Sequence, residues 1–227
     1  MRREDLLQKF LLSEDIYIST KEETREKFDI YNSIDCISRF HNSLKGKKNY
    51  TIGLISEAGR IRSEQKILLR RVIEFSSEVS IDLSELIKYS RECIEYISDE
   101  EFISLIERAY KNSEITLGKV YPNIENRDDK IFVCDVSKIR FGMVEDDLIK
   151  LLRRTAHKKL ENDRTDMIEE FLLKEDLSDI SRRYIKSTLA FPTNILVYIS
   201  NCYLRDFKDE EKIRENILKI KERYSVF

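Results

Sequence analysis

The 227 residues contain no tryptophan and only five glycines, two prolines and two histidines. An all-β fold needs many turn residues, so this shortage excludes one and points to a helix-rich protein. His41 and His157 are the entire histidine content, which leaves little material for a His-based metal centre. Cys36, Cys93, Cys134 and Cys202 stand more than 40 residues apart. No closely spaced pair therefore begins a zinc site or a thioredoxin-type motif, and isolated buried thiols are expected. The chain has no run of about 18 apolar residues, and its start, MRREDLLQKF, lacks the apolar core of a signal peptide. These absences predict a cytoplasmic protein with no membrane partner. Charge of one sign is missing too: 41 basic and 43 acidic residues are interspersed, so no single-sign field steers the chain to nucleic acid.

What is present is 41% hydrophobic and 37% charged residues, the balance of one helical domain, residues 1–227, with a heavily solvated surface. The segment DIYIST reads as a short strand. Thr20 and Glu23 then have capping-box spacing ahead of Ile30, Ile34, Ile37, His41 and Leu44 on one helix face. His41, on that apolar side, reads as a satisfied core histidine rather than a base or ligand. After a Gly- and Lys-rich loop at 43–54, EQKILLRRVIEF continues as a helix. Capping boxes at Asp82/Glu85 and Ser98/Glu101 open two more. Beyond residue 142, Met143, Leu148, Leu151 and Leu152 are helically spaced. Further periodic segments lie near 164–174, 178–190 and 193–206, and the final helix aligns Ile213, Ile217, Ile220 and Tyr224.

Residues 115–142 differ in texture: SEITLG is a short apolar run, YPNIENRDD is turn-rich, and KIFVCDV has strand length and strand composition. A strand, a Pro-Asn loop and a second strand ending in Asp, set among helices, is the layout of a phosphotransferase active site. Phosphoryl transfer there needs an aspartate as base, with an Asn and a second Asp to hold magnesium. In LGKVYPN, FVCDVSKIRFG and EDDLIKLLRRT, the sequence resembles the aminoglycoside-phosphotransferase branch of the kinase-like superfamily, and within it the CotS-type spore coat proteins. SIDCISRFHNSLKG and YIKSTLAFPTNILVYISNCYL extend the resemblance over roughly residues 16–225.

That resemblance implies an α-rich α+β fold: the large lobe of a protein-kinase-like domain, with about eight helices, one short N-terminal strand and a small hairpin. Its departures bear on activity. Leu117 stands for the family's His, Gly118 is kept, and Lys119 occupies the position of the catalytic Asp. An ammonium has donors and no acceptor, so it cannot take a hydroxyl proton. The metal-binding Asn falls on Ile124 by strict counting, or on Asn123 if the loop is one residue shorter. Asp135 stands for the second metal-binding Asp. No Gly-x-Gly-x-x-Gly or Gly-x-x-x-x-Gly-Lys-Ser/Thr occurs. Only residues 1–15 precede the hinge-like strand, so a small lobe is not expected, and those residues, a partner subunit or side-chain replacement must cover the hinge face.

The alternative for 115–142 is a plain hairpin on a helical domain, with Asp135 a solvated strand-end carboxylate. LLRRTAHKK and the KGKK loop read as solvated charge. Glu145, Asp146 and Asp147 read as first-turn acids that merely complement a helix dipole. The expected function is that of a non-catalytic, pseudokinase-like structural or protein-binding component of sporulation or the spore coat. It has protein partners, no cofactor and no metal site, and homo-oligomers are open. The alternatives are a phosphotransferase of altered mechanism and a helical adaptor unrelated to kinases.

Overall fold

The computed structural model describes residues 3–19, 30–47, 54–120, 123–155 and 161–223. The chain begins with helix α1 (Arg3–Ser13), strand β1 (Ile16–Ile18) and α2 (Ile30–Leu44), followed by three helices, α3 (Arg60–Ser76), α4 (Ser84–Glu95) and α5 (Asp99–Asn112). Short strands follow: β2 (Ile115–Thr116), β3 (Ile124–Arg127), β4 (Lys130–Val133) and, after a 3-10 turn (Val136–Lys138), β5 (Arg140–Phe141). Helices α6 (Glu145–Thr155), α7 (Glu161–Glu175), α8 (Asp179–Ala190), α9 (Thr193–Leu204) and α10 (Glu210–Arg223) complete the order. The Thr20/Glu23 box, Tyr224, His157 and the end of the LLRRTAHKK stretch lie outside the described residues.

Two apolar clusters hold these elements. The larger joins Ile34, Ile37, Phe40 and Leu44 of α2 to the strands, to Leu148, Leu151 and Leu152 of α6, and to Phe171 of α7. The helical spacing of α2 puts those four side chains on one face, and each contributes about 1.5–3 kcal/mol on burial. Leu7, Phe10 and Leu11 bring α1 into the same core, so residues before the first strand do cover it. The second cluster is formed by α3, α4, α9 and α10, with Val72, Phe75, Leu196, Ile199 and Ile213 at its centre.

The expected small hairpin is present, but β4 pairs with β3 rather than with the SEITLG run. β4 lies between β1, which runs parallel to it, and β3, which is antiparallel. β2 pairs instead with β5. The turn-rich segment thus contains a strand, and the tight turn is Asp128–Asp129, both at positive φ, as a two-residue hairpin connection of the right twist requires. Short polar side chains tolerate that region, so IENRDD reads as loop although Ile124–Arg127 pair with β4.

Of the two predicted caps within the described residues, one forms as drawn. Ser98 accepts from the Glu101 N–H while the Glu101 carboxylate accepts from the Ser98 N–H. At α4 the side chain of Asp82 instead accepts from the N–H of Ser84 at 2.9 Å. Helix α4 starts one residue later than the box demands, so Glu85 cannot reciprocate.

Cys36, Cys93 and Cys202 are buried, and Cys134 is partly exposed. Burial pushes the Cys36 thiol up to about 11 and raises Cys93 and Cys202 as well. No described helix is long and apolar enough to cross a membrane.

Candidate functional site

The loop from Leu117 to Val120 connects the two sheets, and its shape depends on Gly118. That residue sits at φ +66°, and a Cβ built on it would stand 2.1 Å from the carbonyl oxygen of Lys138. Only glycine allows this approach. Leu117 is fully buried, and the N–H of Lys119 turns back to the Leu117 carbonyl at 2.7 Å. The Lys119 side chain is exposed.

The two remaining loop positions meet as the sequence suggests. Asn123 is buried; its Oδ1 accepts from the Asp135 N–H at 2.6 Å, and its Nδ2 donates to the Asp135 carbonyl at 3.4 Å. Ile124 starts β3 with its side chain in the core, whereas Asn123 is the residue that meets Asp135. Asp135 Oδ1 caps the 3-10 turn by accepting from the N–H and hydroxyl of Ser137.

A divalent cation needs several convergent oxygens, and magnesium wants them octahedrally placed. Here the carboxamide oxygen is bound to backbone and one carboxylate oxygen is bound to Ser137. Among the described residues, no group of three His, Cys, Asp or Glu side chains is placed to hold a metal. These residues, as arranged, do not fit a magnesium ion.

Beneath the loop lies a buried layer of charge. Asp147 Oδ2 accepts from the Leu117 N–H at 2.6 Å and lies 3.1 Å from Nε2 of His41. The other ring nitrogen, Nδ1, is 2.8 Å from Glu175 at the end of α7. Burial alone would lower the basicity of His41, but the charge of Glu175 and the bonds to Asp147 and Glu175 outweigh it and raise its pKa to about 10. The ring is therefore an imidazolium joining α2, α6 and α7.

Beside it, Arg108 of α5 makes a two-pronged contact with Glu145, 2.7 Å on each prong, and another with Glu114 at 2.9 and 3.1 Å. Burial opposes the charge on Arg108, but Glu145 and Glu114 raise its pKa further. Glu145 is likewise penalised by burial and held below the usual carboxylate range by Arg108. Tyr184 donates to Asp146 at 3.0 Å, and burial pushes Asp146 up to about 7, aided by Glu145 and Asp147 and opposed by Lys150 and Tyr184. A cleft of about 30 Å3 opens among His41, Arg108, Glu114 and Glu175, with room for a water or two.

This layer corrects the reading of Glu145, Asp146 and Asp147 as acids serving only a helix dipole. All three are buried, at 0%, 2% and 0% exposure, and each is answered by a different partner. The satisfied core histidine expected at position 41 is found: its ring packs against Phe40 and Phe171 while its two nitrogens bridge two carboxylates. Arg108, Glu114 and Glu175 had no signal in the sequence: Arg108 and Glu145 are 37 residues apart and Glu175 and His41 are 134 apart, and Arg108 and Glu114, six residues apart, meet only because the chain leaves α5 between them. The basic stretch after Leu152 is not wholly solvated either: Arg153 is largely withdrawn from water, donates to the Thr188 carbonyl at 2.8 Å, and is lowered in pKa by that burial.

On the outer face of the larger sheet, Tyr17 and Phe132 stack at 5.4 Å. Lys130 lies over the ring of Tyr17 and Arg127 over that of Phe132, so each ring is covered by a cation of the same sheet.

No family model matches the chain, and no curated protein matches it. Among solved structures, the chain is similar to an aminoglycoside phosphotransferase from Alicyclobacillus acidocaldarius subsp. acidocaldarius, with a TM-score of 0.61 at 14% identity over 87% of this chain. It spans 61% of that chain's length. The fold is that of an α-rich large lobe of the kinase-like type.

Proposed function

We propose that the chain is a non-catalytic, pseudokinase-type protein of the CotS kind, serving as a structural or protein-binding component in sporulation or the spore coat. Lys119 carries this reading. It stands in the loop where phosphotransferases present their general base, and its ammonium cannot accept a proton from a substrate hydroxyl. Around it, Gly118 packs against Lys138 and Asp147 accepts from the Leu117 N–H, so the loop is held in place without presenting a carboxylate at position 119. The commitment of Asn123 and Asp135 to local hydrogen bonds supports the same view. The partners proposed are proteins, with no cofactor, and self-association is compatible with this role.

The test is a calorimetric titration with ATP and magnesium, repeated on Asp135→Ala. Absence of heat in both is the expected result. Micromolar binding that disappears in Asp135→Ala overturns the proposal in favour of a phosphotransferase of altered mechanism.

A further inference from the structure

The small sheet of β2 and β5 extends by one more segment. Beyond β5, residues 55–57 run parallel to it: Phe141 donates to the Ile55 carbonyl at 3.1 Å and accepts from the Glu57 N–H at 2.7 Å, which makes Ser56 the partner of Phe141. In such a parallel pairing the bridged residue uses neither of its own backbone groups, and both point to the opposite side. Ser56 is exposed, and among the described residues nothing hydrogen-bonds to its N–H or its carbonyl. The sheet therefore ends in an open edge with a donor and an acceptor side by side. Proteins guard such edges with an outward lysine, a proline or a bulge. Here the three residues are Ile, Ser and a Glu whose carboxylate is held by Arg60, Arg140 and Lys150. Apolar side chains flank the edge as well. Ile55 is 56% exposed, and Tyr110, 57% exposed, lies 4.6 Å from the ring of Phe141, with which Ser56 shares a face.

We propose that two copies of this chain pair through this edge, antiparallel, about a twofold axis at Ser56. In that register each Ser56 N–H donates to the Ser56 carbonyl of the other copy, the closely spaced arrangement of an antiparallel ladder. Ile55 then falls opposite Glu57 of the second copy, and Leu54 opposite its Ala58. No like charges face each other, which would oppose the pairing. The Glu57 carboxylate already has three cations on it, and Leu54 and Ala58 are both apolar and packed on the larger core. A second copy is favoured over a foreign strand because the same few residues supply both sides, as an isologous contact requires. The inference is independent of the non-catalytic reading, since neither Lys119 nor Asp135 takes part.

The test is analytical ultracentrifugation of the full chain from about 10 μM to about 1 mM, where a contact this small shows itself. A monomer–dimer equilibrium is expected. Ser56→Pro removes the N–H that faces water in the single chain, a position where an edge accepts proline, and should abolish the dimer over that range. Ser56→Lys leaves the backbone as it is and sets two ammonium groups against each other; it should weaken the dimer about two- to fivefold at low salt, less so in about 0.5 M NaCl. Ser77→Lys adds the same charge at an exposed position beyond the far end of α3 and should leave the dimer unaltered. Thermal melts verify that each variant is folded, and Ser56→Lys decides if Ser56→Pro is not. A chain that stays monomeric throughout overturns the proposal. So does a dimer that ignores both changes at Ser56, or one that Ser77→Lys weakens equally. ATP binding in the calorimetric titration overturns the non-catalytic reading and leaves the dimer result standing.

Discussion

Asp147 on α6 accepts a hydrogen bond from the backbone N–H of Leu117, 30 residues earlier in the chain, at 2.6 Å. The same oxygen faces the imidazolium of His41. One carboxylate therefore fixes the start of the Lys119 loop and ties it to α2. Asp147→Asn retains an acceptor for the Leu117 N–H, whereas Asp147→Ala leaves that buried donor without one. The alanine variant should lose about 1–3 kcal/mol from the missing hydrogen bond alone, and more than the asparagine variant in urea denaturation. Equal losses would mean that the loop contact contributes nothing of its own.

His41 gives the protein a defined dependence on alkaline pH. Its native pKa of about 10 lies above its ordinary value of 6.5, so the folded state retains a proton that the unfolded chain releases. The stabilisation is complete below about 6.5 and is lost as pH rises through about 10. Thermal melts of the unaltered chain should fall in midpoint across that window, and melts of His41→Gln should fall less. In a His157→Gln background, where His41 is the remaining histidine, its NMR signals should hold their protonated positions at pH 8. Ordinary titration near 6.5 would refute the buried imidazolium.

Arg108 is the cation on which Glu114 and Glu145 both depend, and those carboxylates are 4% and 0% exposed. Arg108→Gln strands two buried charges, so a loss of about 3–5 kcal/mol is expected in chemical denaturation. Glu145→Gln in the same background should recover part of it by removing one stranded charge. If Arg108→Gln costs no more than a surface substitution, the layer does not exist as drawn.

Asp146 behaves in the opposite sense to most carboxylates. Burial holds its pKa up to about 7, so its stabilising protonated form is fully present below its unfolded value and is lost as pH rises through about 7. Tyr184→Phe removes the donor that favours the charged form and should move this loss to higher pH. The midpoint of unfolding against pH, between about 4 and 8, measures the shift; an unchanged profile in Tyr184→Phe would detach Asp146 from it.

The helices were legible in the sequence because their signal is local. Periodic Ile and Leu in α2, α6 and α10, and the reciprocal Ser98/Glu101 cap, declare themselves within a few residues. Part of the loop was legible as well: Asn123 and Asp135 meet, Gly118 takes a positive φ, and Ile124 lies in the core. The strand pairing was hidden, since β2 and β5 have two residues each and the Asp128–Asp129 turn disguises β3 as loop.

By itself, the sequence determined a helix-rich chain and the placement of its amphipathic faces. Only the tertiary structure decided what the acids of α6 do. On a lone helix, Glu145, Asp146 and Asp147 favour the N-terminus and stay in water. Folding withdraws them from water, and a buried carboxylate persists only with a partner. The partners are Arg108, Tyr184 and His41, drawn from three other helices, and no local pattern encodes a pairing whose two halves lie 37, 38 and 106 residues apart.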